Sequence, residues 1–250
     1  MSGHSKWSTI KRQKGANDAK RGALFTKLGK EITIAARQGG GDPETNYRLR
    51  LAVDKARAAN MPTDNIKRAI ERATGGDKAI EYEEIVYEGY GLGGVALLVE
   101  TATDNRNRTA AEVRSIFSKA GGQLAGQGSV AWQFEQRGLI SVERGLGDPD
   151  DIALAAIDAG AVDVDTDSDP IEIATEPTQL QSVQAAVEAA GVKVESSELT
   201  MVATTPIEVD VDKARQNLRL IEALEDSDDV QRVTANFELP DEIMAEAAAS

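Results

Sequence analysis

Between residues 18 and 38 the apolar positions Leu24, Phe25, Leu28, Ile32, Ala35 and Ala36 recur at spacings of three and four. That period belongs to a helix burying one stripe, and Gly39, Gly40 and Gly41 end it. Around such a helix Lys20, Lys27, Lys30 and Arg37 gather on the side away from the stripe, which predicts an apolar face inward and a basic face outward. A second helix is predicted from about Asn46 to Asn60, with Leu49, Val53 and Ala56 on one side and Arg48, Arg50, Lys55 and Arg57 around it. A third opens after Pro62 and Thr63, where threonine can cap free amides and Asp64 suits the positive helix end, and it carries Ile66 and Ile70. Three amphipathic helices of this kind can close a small bundle.

After Gly75-Gly76 the period changes from helical to alternating. Ile85 to Tyr87 and Val95 to Val99 read as strands, Thr109 to Ala120 as a helix, and Val130, Trp132 and Phe134 as one face of a strand. From Gly138 the order is strand (139–142), helix (149–159), strand (162–164), strand (171–174), helix (178–190) and strand (192–201), the split βαββαβ unit of ferredoxin-like folds. A helix from Val211 to Leu224 and a strand from Val230 to Phe237 would then complete the sheet begun between Tyr82 and Phe134. The expected fold is α+β: an N-terminal three-helix domain followed by two α/β sandwich domains, the last ferredoxin-like and inserted into the middle one. The expected boundaries are 1–78 for the basic helical domain, 79–136 plus 206–240 for the middle domain, 137–205 for the inserted one, and 241–250 for a frayed helical tail.

Charge changes the picture from architecture to partner. The first 78 residues hold seventeen lysines and arginines against eight acids, a net +9, while the other 172 hold eleven against thirty-four, a net −23. Like charges gathered in one module repel unless a partner of opposite sign uses them, so the basic end is where a polyanion should dock. The chain has no cysteine, which excludes disulfides, thiolate zinc sites and cysteine nucleophiles and fits a reducing compartment. No apolar run is long enough to span a bilayer, and no Arg/Ser-rich leader precedes the first helix. The expectation is a cytoplasmic protein that begins at its mature end and has no membrane partner. No oligomeric state is read from the sequence.

Several segments imitate enzyme or ligand motifs and fail on context. Gly89-Tyr-Gly91-Leu-Gly-Gly94 matches a dinucleotide fingerprint after a strand, but a strand follows where that site needs a helix N-terminus, so the segment reads as a hairpin loop. Asp165, Asp167, Asp169 and Glu176 have the spacing of a calcium loop, yet Pro170 occupies the position that must turn through glycine, leaving a solvated acidic turn. His4 is the sole histidine and has no nucleophile or metal-ligand partner at useful spacing. A hydrolase working through carboxylates between the two α/β domains finds no paired acids at a recognisable spacing. No catalytic residue, metal or cofactor is implied.

The arm Gly3-His-Ser-Lys-Trp7, continuing through Ile10, Lys11, Arg12 and Lys14, is the sharpest signal. It suits phosphate contact, with Trp7 either stacking on an unpaired base or pinning the arm onto the bundle with Ile10. Thr103 to Thr109 is a second candidate, a polar loop projecting Arg106 and Arg108 just before a helix whose free amides could also take a phosphate, or else a simple capping turn. The candidate nucleic-acid-binding residues are therefore Lys6, Trp7, Lys11, Arg12, Lys14, Lys20, Lys27, Lys30, Arg106 and Arg108.

At these residues the chain resembles the YebC family. The likeness runs nearly the whole length: Gly3 to Trp7, Arg21-Gly22 followed by Phe25 to Leu28, Gly39 to Pro43, Tyr87 to Gly91, Thr103 to Thr109, and Gly128 to Trp132. Ala23 departs from it, since many members carry lysine after Arg-Gly, and this removes one basic contact. The resemblance implies three domains with the last inserted into the second. It also implies a role in gene expression, labelled "probable transcriptional regulatory protein", with mitochondrial relatives that activate translation. We expect a non-enzymatic, DNA-binding transcriptional regulator; the alternative is a translation factor that binds the ribosome through ribosomal RNA and relieves stalling at proline-rich stretches. No helix-turn-helix stands out, and the third helix offers only Asn65 and Arg68 near its start for reading bases.

Overall fold

A computed structural model describes residues 18–75, 81–145 and 147–249. Its elements run α1 (Asp18–Gly39), α2 (Tyr47–Ala58), α3 (Thr63–Thr74), β1 (Glu83–Tyr90), β2 (Ala96–Thr103), α4 (Arg106–Lys119), β3 (Gln123–Leu124), β4 (Phe134–Val142), α5 (Pro149–Asp158), β5 (Ala161–Asp165), β6 (Ile171–Thr175), α6 (Leu180–Ala189), β7 (Val194–Ala203), α7 (Val211–Glu225), β8 (Val230–Ala235) and α8 (Asp241–Ala249). The architecture is α+β: three helices, then an α/β domain with sheet order β3-β1-β2-β8, interrupted by a second with order β5-β6-β4-β7. By packing, Phe134–Val202 forms one compact unit, while the helices and the interrupted α/β domain together form the other.

In that larger unit α1 has two working faces. Leu28, Ile32, Ala35 and Ala36 close a core with Leu49, Val53 and Ala56 of α2 and Ile66 and Ala69 of α3. The chain turns from α1 into α2 around Asn46, which caps α2 by accepting from the Leu49 amide at 3.1 Å and donates to the Ala35 and Gly40 carbonyls at 2.8 Å. A side chain at Gly39 would collide with Asn46, so the glycine run serves a close approach as well as a helix stop.

The α/β part packs α4 and α7 on its sheet through Val113, Phe117, Leu220, Ile221 and Leu224 against Leu97, Val99, Val230 and Val233. β8 pairs antiparallel with β2, so the C-terminal segment does complete the sheet that the insertion leaves open. The Gly89–Gly94 segment is the hairpin between β1 and β2, as its context predicts. Asn217 of α7 holds that hairpin by accepting from the Leu92 amide and donating to the Leu92 carbonyl, both at 2.9 Å, and a Cβ on Gly91 would sit 2.1 Å from the Asn217 side-chain oxygen. In the inserted unit β6 pairs antiparallel with both β4 and β5 around Ile140, Val142, Ile171 and Ile173, and α5 and α6 cover that core with Ile152, Leu180 and Val183.

Three local expectations are corrected. Val130 to Phe134 is not one strand: residues 131–133 make a tight helical turn, β4 starts only at Phe134, and Trp132 is left 69% exposed. α4 begins at Arg106, not Thr109, because Asn105 caps it and accepts from the Arg108 amide at 3.1 Å. The tail is a docked helix and not a frayed one, since Ile243 is buried in the α/β core and Arg215 pairs with Glu242 and Glu246.

Candidate nucleic-acid interface

The structure divides the predicted basic residues into three groups. Lys6, Trp7, Lys11, Arg12 and Lys14 lie outside the described residues, and Lys20 is described only as part of the α1 backbone. Lys27 and Lys30 do not share an open basic face, because the side of α1 opposite its helical core packs on the α/β domain. Lys27 donates to the carbonyl of Glu225 at the end of α7. Lys30 is 7% exposed, and its ammonium donates to Asp229 Oδ1 at 2.7 Å, the Asp228 carbonyl at 2.9 Å and the Ala102 carbonyl at 3.1 Å, with the Tyr82 ring 5.6 Å away. A helical wheel built from apolar positions alone misplaces Lys30, since an ammonium can be buried where a carboxylate and two carbonyls meet all its donors.

Asp229 is the hub of this junction. Its second oxygen accepts from Arg108 and Thr109 at 2.7 Å and from Thr103 at 3.1 Å. Burial by itself would raise this carboxyl, but the hydrogen bonds from Lys30, Arg108 and Thr109 and the Lys30 charge outweigh it and hold Asp229 far below the usual carboxylate range. The Thr103–Thr109 segment thus joins strand, helix and Lys30 through one buried acid. Arg108 also pairs with Asp104 at 2.8 Å, and Arg106, exposed in the first turn of α4, pairs with Glu83 at 3.5 Å. Around the junction lies a cleft of about 460 Å³ lined by Thr26, Lys30, Tyr82, Asp104, Arg108, Glu112 and residues 226–229. Its cations are matched by buried Asp229 and its rim is acidic, so it does not suit a phosphate.

The helical domain's other cations are mostly paired as well: Arg37 with Glu81 at 3.1 Å, Lys55 with Glu31 at 3.0 Å, and Arg48 with Glu84. The solvent-facing side of α3 carries three exposed cations, Lys67, Arg68 and Arg72, beside exposed Asp64 and Glu71, while Ile66, Ala69 and Ala73 are buried. Lys67 and Arg72 form no ion pair among the described residues. The 66–69–73 spacing in the sequence places these cations on the side away from the core, although Lys67 and Arg72 are not among the candidates that the charge pattern of the arm and α1 picks out. Arg68 is tied to the Asn65 side chain and to the Asp64 carbonyl, so the two residues best suited to reading bases engage each other.

A second buried acid organises a loop. Glu88 of β1, 5% exposed, accepts from the amides of Gly128, Val130 and Ala131 at 2.6, 2.7 and 2.9 Å. Burial raises its carboxyl, and these backbone donors more than offset that and hold it below the usual range. Ser129, in the same loop, accepts from the Tyr90 hydroxyl at 3.0 Å and from the Trp132 indole N–H at 3.2 Å, so Trp132 presents its ring on a fixed support. The segments Tyr87–Gly91 and Gly128–Trp132 are therefore two halves of one contact.

Among the described residues no group of three His, Cys, Asp or Glu side chains is placed to hold a metal, and no helix is long and apolar enough to cross a membrane. The fold and this surface define a three-part α+β protein built around buried acid hubs, with exposed cations on the third helix of its N-terminal module. Comparison with known proteins makes this specific. Residues 5–76 match the model of the TACO1/YebC protein N-terminal domain, and residues 82–237 match that of the TACO1/YebC second and third domain. A "probable transcriptional regulatory protein" of Rubrobacter xylanophilus is 55% identical over 99% of this chain and 100% of its own length. One of the same description from Acidithiobacillus ferrooxidans is 56% identical over the whole of both chains. A crystal structure of a conserved hypothetical protein from Aquifex aeolicus superimposes with a TM-score of 0.82 at 43% identity, covering 89% of this chain and 92% of that one. The chain belongs to the TACO1/YebC family.

Proposed function

We propose that the protein is a non-enzymatic, nucleic-acid-binding regulator of gene expression that grips phosphates with its N-terminal module. The observation that carries this reading is the charge division, +9 in the first 78 residues against −23 in the rest. Lys6, Lys11, Arg12 and Lys14 of the arm and Lys20 at the start of α1 are the grip's contacts, and Lys67, Arg68 and Arg72 extend them onto α3. Lys30 and Arg108 leave the set because Asp229 occupies them, and Lys27 and Arg106 stand at its margin. DNA-binding transcriptional regulation is the finer reading that the relatives' descriptions favour. The engagement of Arg68 with Asn65 favours a second one, recognition by charge and shape, as a translation factor on ribosomal RNA would use.

Ultraviolet crosslinking in cells, followed by sequencing of the attached nucleic acid, tests both. Promoter DNA is the expected result for a transcriptional regulator, whereas ribosomal and transfer RNA would establish the translation reading. Recovery of neither, together with a flat salt dependence on purified DNA and RNA, would refute phosphate binding altogether.

A further inference from the structure

The outer face of α5 carries chemistry that its own fold does not use. The helix buries Ile152 and Ala156, and on its far side Leu154 and Ile157 stand 60% and 57% exposed, nearly one turn apart. Asp150, Asp151 and Asp158, all exposed, lie three or four residues from Leu154 and so project from the same arc. Val162, in the edge strand β5 that follows, is 54% exposed. Isolated exposed apolar residues are ordinary, but here two share one helical ladder with three acids. Asp158 also lies in the last turn, where the helix's negative end disfavours a carboxylate, and no base on α5 offsets it.

The partner's chemistry follows from charge. Phe134–Val202 holds fifteen acids and three bases, a net −12, which repels a nucleic acid or an anionic lipid surface. Apolar side chains framed by carboxylates complement a helix or extended segment that alternates leucine-like residues with lysine or arginine. We propose that the outer face of α5 docks a basic amphipathic segment of another protein, with Leu154 and Ile157 receiving its apolar side chains and Asp150, Asp151 and Asp158 pairing its cations. The residues involved are separate from those of the phosphate grip.

The test uses the full-length chain and a fluorescein-labelled leucine–lysine peptide of about four helical turns, followed by anisotropy, with a leucine–glutamate peptide as control. Leu154→Ser/Ile157→Ser alters only solvent-facing side chains and should leave the melting curve unchanged. The expected result is that the lysine peptide binds, the glutamate peptide does not, and the double variant weakens binding at least about tenfold. Asp150→Asn/Asp151→Asn/Asp158→Asn should also weaken it and flatten its salt dependence. Binding that the serine variant leaves unchanged would overturn the proposal, because general attraction to an acidic protein would then account for it. So would self-association by sedimentation velocity that the serine variant abolishes, with no effect on the peptide, which would make a second copy of the chain the occupant.

Discussion

Replacing Asp229 by alanine should loosen the joint between α1 and the α/β domain. The substitution strands the Lys30 ammonium, only 9% exposed at its side chain, with two carbonyls and no counter-charge, and leaves Thr103 and Thr109 without their shared acceptor. Breaking a buried pair by removing one partner costs about 3–5 kcal/mol, a large share of the stability of an ordinary domain. Lys30→Met should cost less, about 1–3 kcal/mol, because Asp229 keeps Arg108, Thr109 and Thr103 as donors. The double variant should fall short of the summed losses by about 1–3 kcal/mol, since the two side chains share one interaction. Urea unfolding followed by far-ultraviolet circular dichroism measures all three. In the single Asp229 variant the helical region is expected to separate into an earlier transition, because its packing on the sheet depends on this hub. A loss under about 0.5 kcal/mol for Asp229→Ala, the scale of an ordinary surface change, would refute the assignment of Asp229 as the hub. Strict additivity of the two variants would refute the coupling.

The remaining expectations concern pH, the Glu88 loop and the phosphate grip. Asp229 and Glu88 both have folded-state pKa values below those of the unfolded chain, so their stabilisation is complete above about pH 4 and is lost as pH falls below it; acid titration of the melting temperature should show this, with the loss reduced in Asp229→Ala. Glu88→Gln leaves one of three converging amides facing a donor and should cost about 1–3 kcal/mol, with Trp132 fluorescence in a Trp7→Phe background changing as the loop loosens. Replacing Lys11, Arg12 and Lys14 together by alanine should weaken duplex DNA binding without lowering the melting temperature; unchanged affinity would count against the arm. The eight proposed contacts predict a log–log salt slope of roughly −7 for the unmodified chain, and that triple variant should reduce its magnitude by about 2–3.

Much of the architecture follows from the sequence because periodicity is local. The three helices, the βαββαβ insertion and the return of the chain through α7 and β8 are visible as repeats of three-to-four and two, and the division of charge needs only counting. Which groups meet across the fold is decided otherwise. Lys30 belongs to the polar side of its helix by sequence, yet tertiary packing gives that side a second neighbour and a carboxylate 199 residues away in the chain. Trp132 alternates with Val130 and Phe134 as a strand residue would, yet three amides turned toward Glu88 bend the backbone out of the strand and leave the indole in water. Tyr87–Gly91 and Gly128–Trp132, or Thr103–Thr109 and Asp229, are unconnected segments until folding brings one buried acid to several donors. A buried carboxylate is tolerable only where its hydrogen bonds replace lost water, and that condition is met by the assembled structure and by no segment alone.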